Sequence, residues 1–234
     1  MCAILAIETS GEPASLALVR DGCVATDLEF TAPRRLSQTL MVRMDELLGR
    51  AGASVGDVTA AAVSLGPGSF TGLRIGVGTA NALAQVNGWR IVGMPTHHAI
   101  AERAAGTADG LVCVVTAARA DEVYATLLSR GESGWQERRP CGVYRIGELK
   151  QLLVEVGERV ALCGDGAAAW SEQLRDVGDV QLGAAQPPRA REVGLLAELR
   201  LRSGEVDARE DVRPLYVRPS QAEAVRGIDL GLAR

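Results

Sequence analysis

Three stretches of the chain carry residue types and spacings that could do chemistry. The first is Gly66-Pro67-Gly68-Ser69-Phe70-Thr71-Gly72. It lies between a short apolar run and a stretch of helical periodicity, where backbone N–H groups and the helix dipole favour an anion. Gly66, Gly68 and Ser69 are therefore candidates for an anion or nucleotide loop. The run is not a P-loop, because it lacks the Gly-Lys-Ser/Thr ending. Nor is it a dinucleotide fingerprint, because its third glycine falls one position late. A tight turn that needs glycine torsions accounts for the same residues, and both readings stay open. The second stretch is Glu8-Thr9-Ser10-Gly11, a carboxylate and two hydroxyls at the end of an apolar run. The third is the His97-His98 pair. Neighbours on a helix point in different directions, so this pair lacks the i, i+4 spacing that chelates zinc, and a partly exposed helix start is expected. The cysteines (Cys2, Cys23, Cys113, Cys141 and Cys163) are odd in number and form no Cys-x-x-Cys pair. They read as buried, reduced thiols. Cys163 has no histidine near it in sequence to activate it.

The elements that must position these residues follow from hydrophobic periodicity. Residues 2–8 and 14–20 are apolar runs, and Asp21-Gly22 is a two-residue hairpin signal before a returning strand over 23–30. Leu36, Leu40, Met41, Met44, Leu47, Leu48 and Ala51 then recur at helical spacing, and Gly52 stops the helix. A strand over 60–65, a helix over 71–86 and a strand over 90–94 follow, with a helix from Pro95-Thr96 capped by Thr96. The second half repeats the order. Strands are expected at 111–117, 122–129 and 135–144, a helix at 146–156, a strand at 159–163, a helix near 167–177 and a last long helix over 192–203. Each half reads βββ-α-β-α with a glycine loop after its fourth strand. The expected fold is α/β, two tandem ribonuclease-H-like units as in the actin and sugar-kinase superfamily, divided into residues 1–106 and 107–234. The Pro214-Leu215-Tyr216-Val217-Arg218-Pro219 tail is expected to be extended.

In that superfamily's ATPases the turn after the first strand carries an Asp that holds phosphate and Mg²⁺. Here the acid is Glu8, one methylene longer, and the corresponding turn of the second half reads Thr116-Ala117-Ala118-Arg119, without a carboxylate. Magnesium in such sites needs one or two carboxylates, so an efficient kinase is not expected. A two-metal nuclease needs several convergent acids, and the fourth strand ends Ser64-Leu65-Gly66 with none. The net charge of −4, with Lys150 the only lysine, argues against strong autonomous nucleic-acid binding. The N-terminal apolar run is too short for a signal peptide or a membrane span, so a cytoplasmic protein is expected. Aromatics make up only 3% of the chain, so the core must be aliphatic.

The helix over 71–86 is apolar nearly all round. Gly72, Gly76, Ala80 and Ala84 recur every four residues as a stripe of small side chains. Glycines in a helix cost about 1 kcal/mol each, so close packing must offset them. Either another helix of the same chain or a partner subunit covers this face. The helices around Leu36, Leu40, Met41, Met44 and Leu47 and around Gly72, Leu73, Gly76, Val77 and Ala80 together carry more apolar side chains than one sheet face covers, which makes them the expected subunit-contact surface.

Ala6-Ile7-Glu8-Thr9-Ser10, the run from Gly66 to Gly76 (Gly-Pro-Gly-Ser-Phe-Thr-Gly-Leu-Arg-Ile-Gly) and Pro214-Leu215-Tyr216-Val217-Arg218 resemble, in order and spacing along nearly the whole chain, the TsaB (YeaZ) family of tRNA threonylcarbamoyladenosine biosynthesis proteins. The resemblance implies a non-catalytic subunit. Members bind the homologous transferase TsaD, which carries the metal-binding histidines, through their first two helices. The P-loop ATPase TsaE joins that assembly, and members alone form homodimers through the same surface. No catalytic residue, metal or resident cofactor is then expected. Weak nucleotide binding in a cleft between units or subunits stays open, and tRNA is met through the complex. Family members often carry an Asp where this chain has Ala117, and a His where it has Leu36; both departures weaken independent nucleotide chemistry. The alternative is a small-molecule kinase or ATPase of the same superfamily. A peptidase would need a metal site or nucleophile that the sequence does not offer.

Overall fold

A computed structural model describes residues 2–105, 110–131, 134–183 and 185–217; Arg218 and Pro219 of the tail motif lie outside them. The first sheet holds β1 (Ala3–Glu8), β2 (Ala14–Arg20), β3 (Cys23–Phe30), β4 (Ala60–Gly66) and β5 (Arg90–Pro95), in the order β3-β2-β1-β4-β5. β1 pairs antiparallel with β2 and parallel with β4, and β2 pairs antiparallel with β3. Every residue of β1 is buried, as its unbroken apolar run requires of a central strand. The hairpin at Asp21-Gly22 turns with both residues at positive φ, 48° and 83°, the torsions that suit a two-residue connection.

Helix α1 (Leu36–Arg50) and helix α2 (Phe70–Asn87) flank β4 in sequence. The Ser69 side chain caps α2 by accepting from the Gly72 amide, and Gly88 ends it at φ 68°, the left-handed torsion common after a helix. Leu40, Met44 and Leu47 of α1 share one hydrophobic core with Val77, Ala80 and Ala84 of α2 and with Leu5, Ile7 and Val63 of the sheet. Helix α3 (Thr96–Ala105) begins at Thr96 itself, whose hydroxyl accepts from the Gly66 amide at 3.2 Å.

The second sheet holds β6 (Leu111–Ala117), β7 (Glu122–Gly131), β8 (Gly134–Arg145), β9 (Val160–Cys163) and β10 (Val180–Leu182), in the order β10-β9-β6-β7-β8. Its pairings repeat those of the first sheet: β6 with β7 and β7 with β8 antiparallel, β6 with β9 and β9 with β10 parallel. The duplication read from the sequence is thus a duplication of topology. Strand β10, of 3 residues, carries too few residues for periodicity to reveal it. The single helix expected near 167–177 is two short ones, α5 (Asp165–Ala169) and α6 (Ser171–Leu174), broken at Trp170 with φ −107° and ψ 19°. Helix α4 is Ile146–Val156.

The expected division after residue 106 needs correction. One compact unit holds residues 1–99 and 188–215; residues 100–187 belong to the other. The reason is helix α7 (Ala190–Arg202), which follows the second sheet in sequence but seats on the first. A Cβ added at Gly194 would meet Val19 Cγ2 at 2.6 Å and Ala6 Cβ at 3.1 Å. The Ala190 amide donates to Ser15 Oγ at 2.9 Å, and Glu198, 3% exposed, accepts from the Gly22 amide at 2.7 Å. The end of α3 makes the reverse exchange. Glu102 accepts from Arg130 at 3.0 and 3.1 Å and from Trp135 Nε1 at 2.8 Å, all within the second unit. No helix among the described residues is long and apolar enough to cross a membrane.

Candidate functional site

The Glu8 stretch and the glycine run of the first unit meet at the end of β1. The Glu8 side chain is fully buried. Its Oε1 accepts from the Ser10 amide and the Ser10 hydroxyl, each at 2.5 Å, and Oε2 accepts from the Ser64 hydroxyl on β4. Burial pushes the Glu8 carboxyl above the ordinary range, outweighing these donors, which pull it down. Thr9, 1% exposed, donates its hydroxyl to the Gly72 carbonyl at 2.9 Å. The Ser10 carbonyl accepts from the Ser69 amide at 2.6 Å, and Ser69 Oγ accepts from the Gly72 amide at 3.2 Å.

The glycines are shaped by this turn. A Cβ at Gly68 would overlap the Ser10 carbonyl, one at Gly72 the Thr9 carbonyl, and one at Gly76 the Thr9 hydroxyl. Gly66 sits at φ 119°, and a Cβ there would meet Leu73 Cδ1 at 3.0 Å and the Leu215 carbonyl at 3.1 Å. Glu8, Thr9, Ser10, Gly66, Gly68 and Ser69 are therefore brought together, and the contacts are those of a turn packed on a helix start. The amides of Ser69 and Gly72, two of those at the start of α2, already have partners in the same unit. Beside this turn opens a cleft of about 450 Å³ lined by Thr9, Arg34, Ser37, Ser69, Thr71 and Ile75, among others.

The second unit has no acid at the end of β6, and the start of α5 supplies one instead. Asp165 Oδ1 accepts from the Ala117 amide at 3.1 Å and the Gly166 amide at 2.9 Å. Gly164, at φ 99°, lies where a Cβ would overlap the Val115 carbonyl. Each unit thus closes a glycine loop over the end of its first strand. Asp165 was visible as the centre of Gly164-Asp165-Gly166, but its reach to the Ala117 amide depends on strand order.

His97 is buried rather than partly exposed, and burial lowers its imidazole to about 3. Cys113 and Cys163 are buried, and burial raises both thiols, Cys163 to about 12. Cys23 is exposed, while Cys2 and Cys141 are half-buried, so the expectation of burial fails for Cys23. Among the described residues, no group of three or more His, Cys, Asp or Glu could hold a metal ion.

The expected contact surface is largely core. Leu40, Met44, Leu47, Gly72, Leu73, Gly76, Val77 and Ala80 are buried within the chain, Leu36 is half-buried and Met41 is 50% exposed. The stripe of small residues faces inward, and at Gly72 and Gly76 it is Thr9 that approaches, not a partner. The large apolar groups that α1 and α2 leave in solvent are Met41, Val42 at 66% and Val86 at 83%. Val42 and Val86 were missed because each lies off the periodic stripe. Arg74, also on the outer side of α2, lies over the Phe70 ring at 4.0 Å.

Comparison with known proteins agrees with this architecture. The family model described as TsaD, tRNA N6-adenosine threonylcarbamoyltransferase, matches residues 30–225. The tRNA threonylcarbamoyladenosine biosynthesis protein TsaB of Escherichia coli is 31% identical over 94% of this chain and 96% of its own length. A Pseudomonas aeruginosa crystal structure, described as an uncharacterized protein with similarity to peptidase YEAZ, superposes with a TM-score of 0.82 at 26% identity. It covers 93% of this chain and 100% of its own. A ROK hexokinase from Thermus thermophilus shares the fold alone, with a TM-score of 0.50 at 13% identity over 86% of this chain and 100% of its own. By its identity to TsaB along nearly its whole length and the match of most of its residues to the transferase family model, the chain belongs to the TsaB (YeaZ) family.

Proposed function

We infer that this chain is a non-catalytic scaffold subunit in the formation of threonylcarbamoyladenosine at position 37 of tRNA. It binds and supports a TsaD-like transferase, together with a TsaE-like P-loop ATPase, in the cytoplasm, and pairs with itself when alone. The observation that carries this reading is the filled turn at the end of β1. The acid that would serve phosphate and magnesium chemistry is buried under Ser10 and Ser64, and Thr9 closes on the start of α2. A carboxyl whose ionisation is disfavoured by burial is a poor magnesium ligand. The second unit's Asp165 is likewise engaged by backbone amides. Exposed Met41, Val42 and Val86 give the outer side of α1 and α2 apolar surface for a partner.

The test is reconstitution with the transferase and the ATPase of the same organism, reading threonylcarbamoyladenosine in tRNA by nucleoside mass spectrometry. With tRNA and an activated threonylcarbamoyl donor supplied, modification is expected with all three proteins and not without this chain. Full modification in its absence overturns the reading. So does ATP turnover by the purified chain at about 1–100 per second, the range of ordinary kinases.

A further inference from the structure

We propose that the Thr9 turn is a positioning device for α2. By fixing where this helix sits on the sheet, it sets the docking surface that the helix carries. The proposal rests on the reading of the outer side of α1 and α2 as that surface.

Four inward positions of α2, Gly72, Gly76, Ala80 and Ala84, present almost no side chain. Leu73 and Val77 are buried, Ile75 and Leu83 pack partly buried on the same core, and Asn81 donates to the Val212 carbonyl at 3.0 Å. The stripe of small residues itself lacks the ridges whose interdigitation sets register. Directional contacts at the N-terminal end of the helix add to what this packing supplies. The Thr9 hydroxyl donates to the Gly72 carbonyl, the Ser69 amide donates to the Ser10 carbonyl, and the Gly72 and Gly76 backbones close directly on Thr9. The turn is itself held from beneath. One Glu8 oxygen takes both Ser10 donors, and the other takes Ser64 from the neighbouring strand. Buried polar contacts of this kind carry a directionality that apolar packing lacks. Helix α2 is continuous from Phe70 to Asn87, so a seat set at Gly76 is transmitted to Val86, about 15 Å further along at the helical rise.

Thr9 is 1% exposed, so it cannot touch a partner, and any effect on binding must pass through the helix. Thr9→Val keeps the shape and removes the donor; Thr9→Ser keeps the donor. Affinity of the full-length chain for its transferase partner is measured by calorimetry, and amide exchange over residues 70–80 by mass spectrometry. Circular dichroism melting confirms that each variant is folded. Thr9→Val is expected to speed exchange in that window and to weaken binding by about three- to tenfold, the range set by one lost hydrogen bond. Thr9→Ser is expected to restore both. Gly76→Ala, which presses on the Thr9 hydroxyl from the other side, should act like Thr9→Val. Exchange unchanged in folded Thr9→Val overturns the proposal, as does faster exchange with wild-type affinity. Met41→Asp and Val86→Asp, both on exposed positions, separate the two levels. If both bind as wild type, the docking surface lies elsewhere and it is that reading which fails, while the exchange measurement still decides whether Thr9 positions α2.

Discussion

Two glycines of one helix should respond to the same substitution with opposite sign. Gly72 and Gly78 both lie in α2, so Gly→Ala at either gains helix propensity worth about 0.5–1 kcal/mol. At Gly78, which is exposed, an added Cβ meets nothing within 4 Å, so the gain is expected in full. At Gly72 the same Cβ would overlap the Thr9 carbonyl and approach Ser69 Oγ to 3.2 Å. The carbonyl belongs to backbone that cannot swing aside, because Thr9 is tied to Gly72 by its own hydroxyl and Ser10 to Ser69 and Glu8. Forcing atoms into a packed site costs about 1–3 kcal/mol, and the Thr9–Gly72 hydrogen bond, worth about 1 kcal/mol, is strained as the helix moves away. The net expectation is a loss of about 1–3 kcal/mol for Gly72→Ala against a small gain for Gly78→Ala. Urea unfolding of the two variants, followed by circular dichroism at low protein concentration, reads the difference directly. If Gly72→Ala proves as stable as Gly78→Ala, the Thr9 turn is not seated on α2 and the filled-turn account is refuted.

Glu8→Gln should stabilise the chain increasingly as pH rises. The unfolded carboxyl releases its proton from pH 4.5 upward while the folded one retains it, so wild-type stability falls by up to about 1.4 kcal/mol per pH unit until the folded group also ionises. Unfolding midpoints at pH 4.5 and 8 test this, and a constant gap between the two proteins contradicts it. His97 should stay neutral in the folded chain well below its ordinary value of 6.5, since burial holds it near 3. Its contribution to stability is then lost as pH falls from 6.5 toward 3, and its ring resonances should not titrate between pH 5 and 8. Alkylation of the native protein with peptide mapping should label exposed Cys23 rapidly and leave Cys113 and Cys163 untouched until denaturant is added; early labelling of Cys163 would contradict its burial.

The order of strands was legible because each half repeats a pattern that periodicity detects: three strands, a helix, a strand and a glycine loop. The edges of the pattern were not. Helix α7 follows β10 in sequence, and nothing in its own apolar stripe says which sheet it will cover. Its seat is set by complementary partners, Gly194 against Val19 and Ala6 and Glu198 against the Gly22 amide, which lie far away in sequence. The break between α5 and α6 at Trp170 is hidden for a different reason: neither glycine nor proline marks it. The candidate site was legible as a list of residues and not as an arrangement. Glu8 and the glycine run were each singled out, but their meeting depends on β1 pairing parallel with β4, which places Ser64 beside Glu8.

The stripe of small residues on α2 shows how far such a pattern reaches. Gly72, Gly76, Ala80 and Ala84, recurring every four residues, announce that something approaches the helix backbone closely along one side, since close packing can offset the cost of a helix glycine. They do not announce what approaches. A facing helix from a partner and a turn of the same chain both need the same absence of side chain. The structure places Thr9 at Gly72 and Gly76 and the core of the sheet at Ala80 and Ala84. The stripe is thereby spent within the chain, and under the proposed scaffold role a partner meets the opposite side of the helix. That side carries Thr71, Arg74, Gly78, Ala82, Gln85 and Val86 as exposed residues, a mixed surface of one cation, polar and small groups and one prominent apolar side chain. Such a composition suits an interface between separately folded subunits, in which a few apolar anchors are ringed by polar groups. On that proposal the buried stripe acts on recognition only indirectly, through the place it gives the helix on the sheet.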